Sequence, residues 1–295
     1  MQNHSNSDIR ETTRTLGFSV VIASTLAISK FIVGFITQSM AILASALDSL
    51  MDVASSSVNF LASRKAAKPP DEDHAYGHGK IESLAGLFQS TLIGTTGVFL
   101  LIEAGKRFFF ARPLHDIPIG IGVMVFSLSL TLILVRRLTT IAKANPSIIL
   151  ATEKLHYVTD VLHNVGVIFA LLLVKWTGSI VWDLLVSLIV SLYIFHAAWQ
   201  ILTRSVDELL DKSLPPRAVE NIRLLILNFH PSVGGLHNFR SRRVGQKIFL
   251  DFHIEIKGEH DFEKAHLMTE SLIGRIREKY PEADVTVHYD PEGGR

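Results

Sequence analysis

The chain contains no cysteine. Disulfides, iron–sulfur clusters and thiolate zinc sites are therefore excluded, and any metal must be held by His, Asp, Glu or backbone oxygen. An excess of one charge sign is also missing. With 29 Lys and Arg against 28 Asp and Glu, the formal net charge is +1, which makes no case for nucleic-acid binding. Charged residues make up only 19% of the chain and hydrophobic ones 48%, and the mean hydropathy of +0.31 exceeds that of an ordinary soluble domain. No segment offers a nucleophile–base pair or a phosphate-cradling loop, so the expectation is that the chain is not an enzyme. What the chain does have is 13 histidines and long apolar stretches that contain carboxylates.

Residues 40–60 are the clearest such stretch. Most of it has the composition of a bilayer-crossing helix, yet it holds Asp48 and Asp52. On a helix these two lie one turn apart on one face. A carboxylate facing lipid costs several kcal/mol, so such groups face a bundle interior, a water-filled cavity or a partner charge. Two like charges one turn apart also repel unless a cation or proton lies between them. A second apolar stretch carries His156 and Asp160, again at i, i+4. Two helices offering two ligands each make four N/O donors, the complement of a tetrahedral divalent-metal site, most naturally zinc.

Hydropathy predicts six spans, about 16–37, 40–63, 82–110, 117–138, 148–174 and 180–203, after a polar segment 1–15. The first apolar run is too long for a signal-peptide core and reads as an uncleaved span. Lys30 within it reads as a snorkelling side chain or a contact to another helix. Gln38–Ser39 leaves little room for a loop, 112–116 is a short connection, and Gly178 turns the chain between the last two spans. The 64–80 and 136–143 connections, the N-terminal segment and the stretch after Arg204 are rich in Lys and Arg. By the positive-inside rule both termini are cytoplasmic, and six spans agree with that. Helical spans suit a bacterial inner membrane. Asn59, His163 and Asn164 read as interhelical hydrogen-bonding groups.

The transmembrane part is expected over 16–207 and a separate domain over 208–295, where hydropathy falls. Residues 218–230 and 262–279 have helical spacing, and 233–240, 246–256 and 283–289 read as strands. The order α-β-β-α-β predicts a small α+β domain with helices on one face of the sheet. The fold class is thus a polytopic α-helical membrane protein with six transmembrane helices and a small cytoplasmic α+β domain.

Two further clusters have ligand chemistry. Asp71, His74 and His78 lie in a loop where Gly77 and Gly79 permit tight turns, with Asp73 as an alternative oxygen ligand. In the C-terminal part His253 alternates with apolar residues, and His288 and Asp290, two apart, point to one side of a strand. His230 and His260 belong to no cluster.

Taken together, Asp48-x-x-x-Asp52, His156-x-x-x-Asp160, Asp71-x-x-His74-x-x-x-His78 and the C-terminal histidines resemble the cation diffusion facilitator family, in particular its bacterial ferrous-iron/zinc efflux members. The resemblance covers nearly the whole chain. It implies a homodimer that exports divalent cations (Zn2+ or Fe2+, with Cd2+ also accepted) in exchange for protons. It assigns Asp48, Asp52, His156 and Asp160 to the transport site and Asp71, His74 and His78 to a loop site. It assigns His237, His253, His266, His288 and Asp290 to a cytoplasmic zinc site in which Asp290 is shared by a pair of ions. It also implies a salt bridge between Lys80 and Asp211 near the junction of the two parts. An aspartate at position 48, where some members have histidine, goes with broader metal acceptance, as the harder all-oxygen pair would on ligand grounds. The alternatives are a passive metal pathway, and a membrane-anchored sensor or scaffold that moves nothing.

Overall fold

The computed structural model of the chain describes residues 2–38, 40–109, 118–145, 147–179, 181–258, 262–291 and 293. The 112–116 connection, the span-end residues 110, 117 and 180, and His260 lie outside them. Among the described residues the order is α1 (Gln2–Thr37), α2 (Met40–Ala66), α3 (Lys80–Phe109), α4 (Pro118–Ala144), α5 (Ile148–Thr177), α6 (Val181–Leu209), α7 (Pro216–Leu227), β1 (Val233–Val244), β2 (Lys247–Ile256), α8 (Phe262–Lys279) and β3 (Ala283–Pro291). Asn6–Val206 form one compact unit, and the chain from Asp207 forms the body of a second.

In the helical unit α1 begins well before residue 16, because the polar N-terminal segment contains neither Gly nor Pro to stop a helix. Thr12 and Thr15 in that segment are buried, and Thr13 meets Ser63 of α2 at 3.1 Å. Gln38, at a left-handed φ of 51°, ends α1 just before α2 starts. Gly178 caps α5 at φ 72°, its N–H donating to the Val174 carbonyl at 2.8 Å. Leu16, Leu26, Leu134, Leu138, Ile149, Leu150 and Tyr157 form one buried cluster, and Ile93, Leu155, Ile194 and Ala198 another.

Many other described apolar side chains face outward. Phe35 is 80% exposed, Met51 71% and Ile189 66%. Such surface is unfavourable in water and suits lipid. Three described stretches are long and apolar enough to cross a bilayer: Arg10–Ile36, Val125–Ala144 and Leu184–Leu209. The expectation of six is therefore met in part, since α2, α3 and α5 are not among them. The fold is a polytopic α-helical membrane protein with a small C-terminal α/β domain.

In the second unit the sheet order is β1-β2-β3, with β1 antiparallel and β3 parallel to β2. Leu250, Phe252, Ile254 and Ile256 point to one face and pack with Ile222 and Ile226 of α7 and Leu272 and Ile276 of α8. Each such side chain contributes about 1.5–3 kcal/mol on burial. The alternate residues Asp251, His253 and Glu255 take the opposite face. Strand β1 runs on to Val244, past the expected end at 240. Val244 pairs with Lys247 across a two-residue turn that Gly245 opens at φ 59°. One bulge lies between His237 and Arg240, where Asn238 takes φ 49°.

Candidate metal centres

Helices α2 and α5 pack together with opposed polarity, so positions fall on α2 as they rise on α5. Ser56 and Asn59 meet Glu153, and Asp52 meets His156. His156 Nε2 lies 3.2 Å from Asp52 Oδ1. That nitrogen is buried and has no well-directed hydrogen bond. Asp160 joins the two, with ligand atoms of all three within 4.8 Å of one another. A tetrahedral zinc with arms of 2.0–2.1 Å has ligand–ligand edges of about 3.3 Å, so the donor set and its spacing fit a small divalent cation. Asp48 is exposed and lies outside this group. With Asp52 level with His156, Asp48 falls one turn further along α2. The structure thus converges three of the four expected residues.

The level next to this group was not foreseen. Ser56 donates to Glu153 Oε1 at 2.7 Å and Asn59 Nδ2 to Oε2 at 2.6 Å. Ser56 also lies 2.8 Å from the Tyr157 hydroxyl. Its one hydrogen is committed to Glu153, so Tyr157 donates to Ser56. Ser56, Asn59 and Glu153 are fully buried and Tyr157 nearly so. Asn59 makes the interhelical bond expected of it, whereas Asn164 turns back to the Asp160 carbonyl of its own helix at 2.8 Å. Lys30 makes the contact to another helix that was one of its two expected roles: its Nζ donates to Ser49 Oγ of α2 at 2.7 Å. The signal for Glu153 was spacing, because 153, 156 and 160 share a helix face.

The loop cluster forms from its own turn. The Asp71 carboxylate accepts the His74 N–H at 2.8 Å, and Gly77, at φ 82°, donates its N–H to the His74 carbonyl at 2.9 Å. This folds His74 Nδ1 and His78 Nε2 each to 3.3 Å from the Asp71 carboxylate. The backbone bond from His74 holds the Asp71 carboxyl below its ordinary range. His78 is buried, and among the described residues its Nδ1 has no hydrogen-bond partner. The three donors fit a metal in chemistry and spacing, and Asp73 is exposed outside them.

In the C-terminal unit, register builds the cluster. His237 pairs with His253 and His253 with His288, which sets three imidazoles in a row across the sheet. Asp290 Oδ2 lies 3.0 Å from His237 Nε2 and 3.1 Å from His253 Nδ1, while Oδ1 lies 3.0 Å from His288 Nε2. The hydrogen bond from His253 is the main cause holding the Asp290 carboxyl below its ordinary range. Two oxygens aimed at different imidazoles suit a shared carboxylate. Glu255 adds an unforeseen donor, with Oε1 3.7 Å from His237 Nδ1. It lies over Gly235, where a Cβ would come within 3.0 Å of its carboxylate. His266 does not join: it is exposed on α8, its ring stacked on Phe262 at 6.4 Å. Asp211 accepts from Arg242 at 3.0 Å within this unit, and Lys80 begins α3 in the helical unit.

These features define a membrane protein whose helices bring two carboxylates and an imidazole together in a group with the donor chemistry of a metal site. Residues 16–210 match the family described as the cation efflux transmembrane domain, and 214–292 the cation efflux protein, cytoplasmic domain. The chain is 36% identical over 273 residues to the cation-efflux pump FieF of Yersinia pestis (strain Pestoides F), covering 92% of this chain and 90% of that one. It is 34% identical over 275 residues to protein p34 of Rickettsia prowazekii (strain Madrid E), covering 93% and 91%. Among solved structures it is similar to the metal-bound C-terminal domain of the CzcD transporter from Thermotoga maritima. That match has 27% identity, 28% of this chain and 98% of that one covered, and a TM-score of 0.26. The chain belongs to the cation diffusion facilitator family of bacterial divalent-metal efflux transporters. Proteins of this family carry cations and are not enzymes, and its cytoplasmic domain supports homodimerisation.

Proposed function

We propose that this protein exports Zn2+ or Fe2+, with Cd2+ also accepted, from the bacterial cytoplasm in exchange for protons. The convergence of Asp52, His156 and Asp160 between α2 and α5 carries this reading. In it α2, α3 and α5 cross the inner membrane beside α1, α4 and α6, and both termini are cytoplasmic. Asp48 completes the ligand set when α2 shifts against α5.

The coupling follows from the donors. Metal binding needs ionised carboxylates and neutral imidazole, so metal and protons compete for the same atoms. Open to the cytoplasm, the site trades protons for the cation; open outward, it is reprotonated and lets the cation go. An unperturbed imidazole titrates near pH 6.5, which suits such an exchange. A membrane potential of 100 mV, inside negative, opposes exit of a divalent ion by about 4.6 kcal/mol, so efflux needs a coupled ion. His237, His253, His288 and Asp290 would hold zinc in the cytoplasmic domain, and Asp71, His74 and His78 a further ion in the loop. Metal there would cross-link strands, or turn residues, that are already adjacent, and would make the dimer responsive to cytoplasmic metal.

The test is metal uptake into proteoliposomes across imposed pH gradients, with zinc and iron(II) side by side and internal pH recorded. Metal flux against proton flux, lost in Asp52→Ala and His156→Ala, is expected. Flux indifferent to the pH gradient would point to a passive pathway. Absence of flux, with metal still held by the cytoplasmic domain, would point to a sensor.

A further inference from the structure

Lys30 lies in the apolar stretch Arg10–Ile36 of α1, where a charge is costly without a purpose. Its Nζ donates to Ser49 Oγ at 2.7 Å, and Ser49 is 1% exposed. Ser49 follows Asp48 and precedes Asp52 by three positions on α2. Among the described residues Lys30 makes no ion pair. The charges acting on it are those of Asp52, Asp160 and Asp48, in that order. The ammonium is thus tied by a hydroxyl beside the carboxylates without occupying a ligand oxygen.

We propose that Lys30 is a fixed counter-charge that sets the affinity and the valence preference of the intramembrane cation site. The inference rests on the transport reading of Asp52, His156 and Asp160. Three ionised carboxylates at positions 48, 52 and 160 carry three negative charges. One ammonium and one divalent ion balance them, whereas a monovalent ion leaves the site negative and a trivalent ion leaves it positive. Three carboxylates without the ammonium would hold a divalent ion too tightly to release it, and transport requires binding weak enough for exit. Ser49 keeps the amine from reaching the carboxylates and competing as a ligand. The sign of this effect is opposite to that of a packing role. Removing a repelling charge tightens cation binding, while removing a structural contact loosens it.

The experiment uses the full-length protein in lipid. Zinc binding at the intramembrane site is taken as the difference between each variant and the same variant carrying Asp52→Ala. Lys30→Met keeps the stem and removes the charge, and should lower the Kd at least about tenfold. KM and kcat for zinc flux should fall together, because release slows. Lys30→Arg should keep the original Kd. Unchanged or weaker binding in Lys30→Met overturns the proposal. If that variant does not fold, Ser49→Ala takes its place: the untethered ammonium then competes for carboxylate oxygen, and zinc binding should weaken several-fold without loss of protein. An unchanged Kd in Ser49→Ala likewise overturns the proposal. Intact zinc binding and flux in Asp52→Ala alone would instead sink the transport reading, whatever Lys30 does.

Discussion

Replacing Asn59 by leucine tests whether the buried Glu153 network fastens α2 to α5. Asn59 Nδ2 donates to Glu153 Oε2 at 2.6 Å with both residues fully buried. A hydrogen bond to a carboxylate contributes about 1.5–3 kcal/mol, and its loss leaves an oxygen buried without a donor. For a unit of this size about 2–4 °C of melting temperature corresponds to each kcal/mol, so Asn59→Leu should lower Tm by roughly 4–10 °C. Glu153→Met strands the Asn59 amide instead, while Ser56 keeps its contact to Tyr157 at 2.8 Å. It should cost about 1–3 kcal/mol. The double variant Asn59→Leu with Glu153→Met replaces a buried polar pair by an apolar one, which is often close to neutral. The two costs should therefore fall short of additivity by about 1.5–3 kcal/mol. Thermal unfolding followed by tryptophan emission suits the assay, because Trp176, Trp182 and Trp199 all lie in the helical unit. Additive losses would refute the reasoning, for they would mean that Asn59 and Glu153 act on stability independently.

Two further outcomes follow from packing and charge. A Cβ on Gly86 of α3 would come within 2.1 Å of Ile148 Cγ2 and 2.7 Å of Ser205 Oγ, so Gly86→Ala should destabilise the helical unit by about 1–3 kcal/mol, read as a lower Tm by the same emission. Because the hydrogen bond from His253 holds the folded Asp290 carboxyl below its ordinary range, the stability it contributes is present above the unfolded carboxyl's range and is lost as pH falls through the folded one. Hydrogen exchange of β3 amides in chelator should show protection dropping at the acid end of the carboxylate range in the parent, and Asp290→Asn, already less protected at pH 6, should lack that drop. An identical acid profile in the variant would count against it.

The helices were legible because their apolar runs exceed what a soluble helix needs, and β2 because its apolar residues alternate with polar ones from Leu250 to Ile256. The row of His237, His253 and His288 was legible only as separate residues, since strand register is a property of pairing. The end of β1 was missed because the bulge at Asn238 breaks the alternation that would have carried the strand to Val244. His266 was assigned to the cytoplasmic site by resemblance, and within one chain it stacks on Phe262 away from the other ligands. Glu255 and Glu153 were missed for opposite reasons. On the strand, an acidic residue on the polar face looks like ordinary solvation. In α5, the i, i+4 pair of His156 and Asp160 carries the visible ligand signal, and a lone glutamate one turn before it adds no spacing of its own.

Glu153, fully buried, also contrasts with the half-buried carboxylates proposed to hold the ion. Both of its oxygens accept short bonds, from Ser56 at 2.7 Å and Asn59 at 2.6 Å, so its strongest acceptor directions are spent. Among the described residues no side chain donates such a bond to the Asp160 carboxylate, and Asp52 has only the imidazole of His156 at 3.2 Å, a contact without hydrogen-bond direction. Half-buried carboxylates left without donors are open to a metal or a proton, as the proposed exchange requires. On the proposed transport reading, the level at Glu153 acts as the footing: it holds α2 against α5 one turn away, so that Asp52 and His156 keep their separation as an ion binds and leaves. A helix pair with both levels saturated would be more stable and would bind nothing, and one with both levels open would have no fixed spacing to offer a cation.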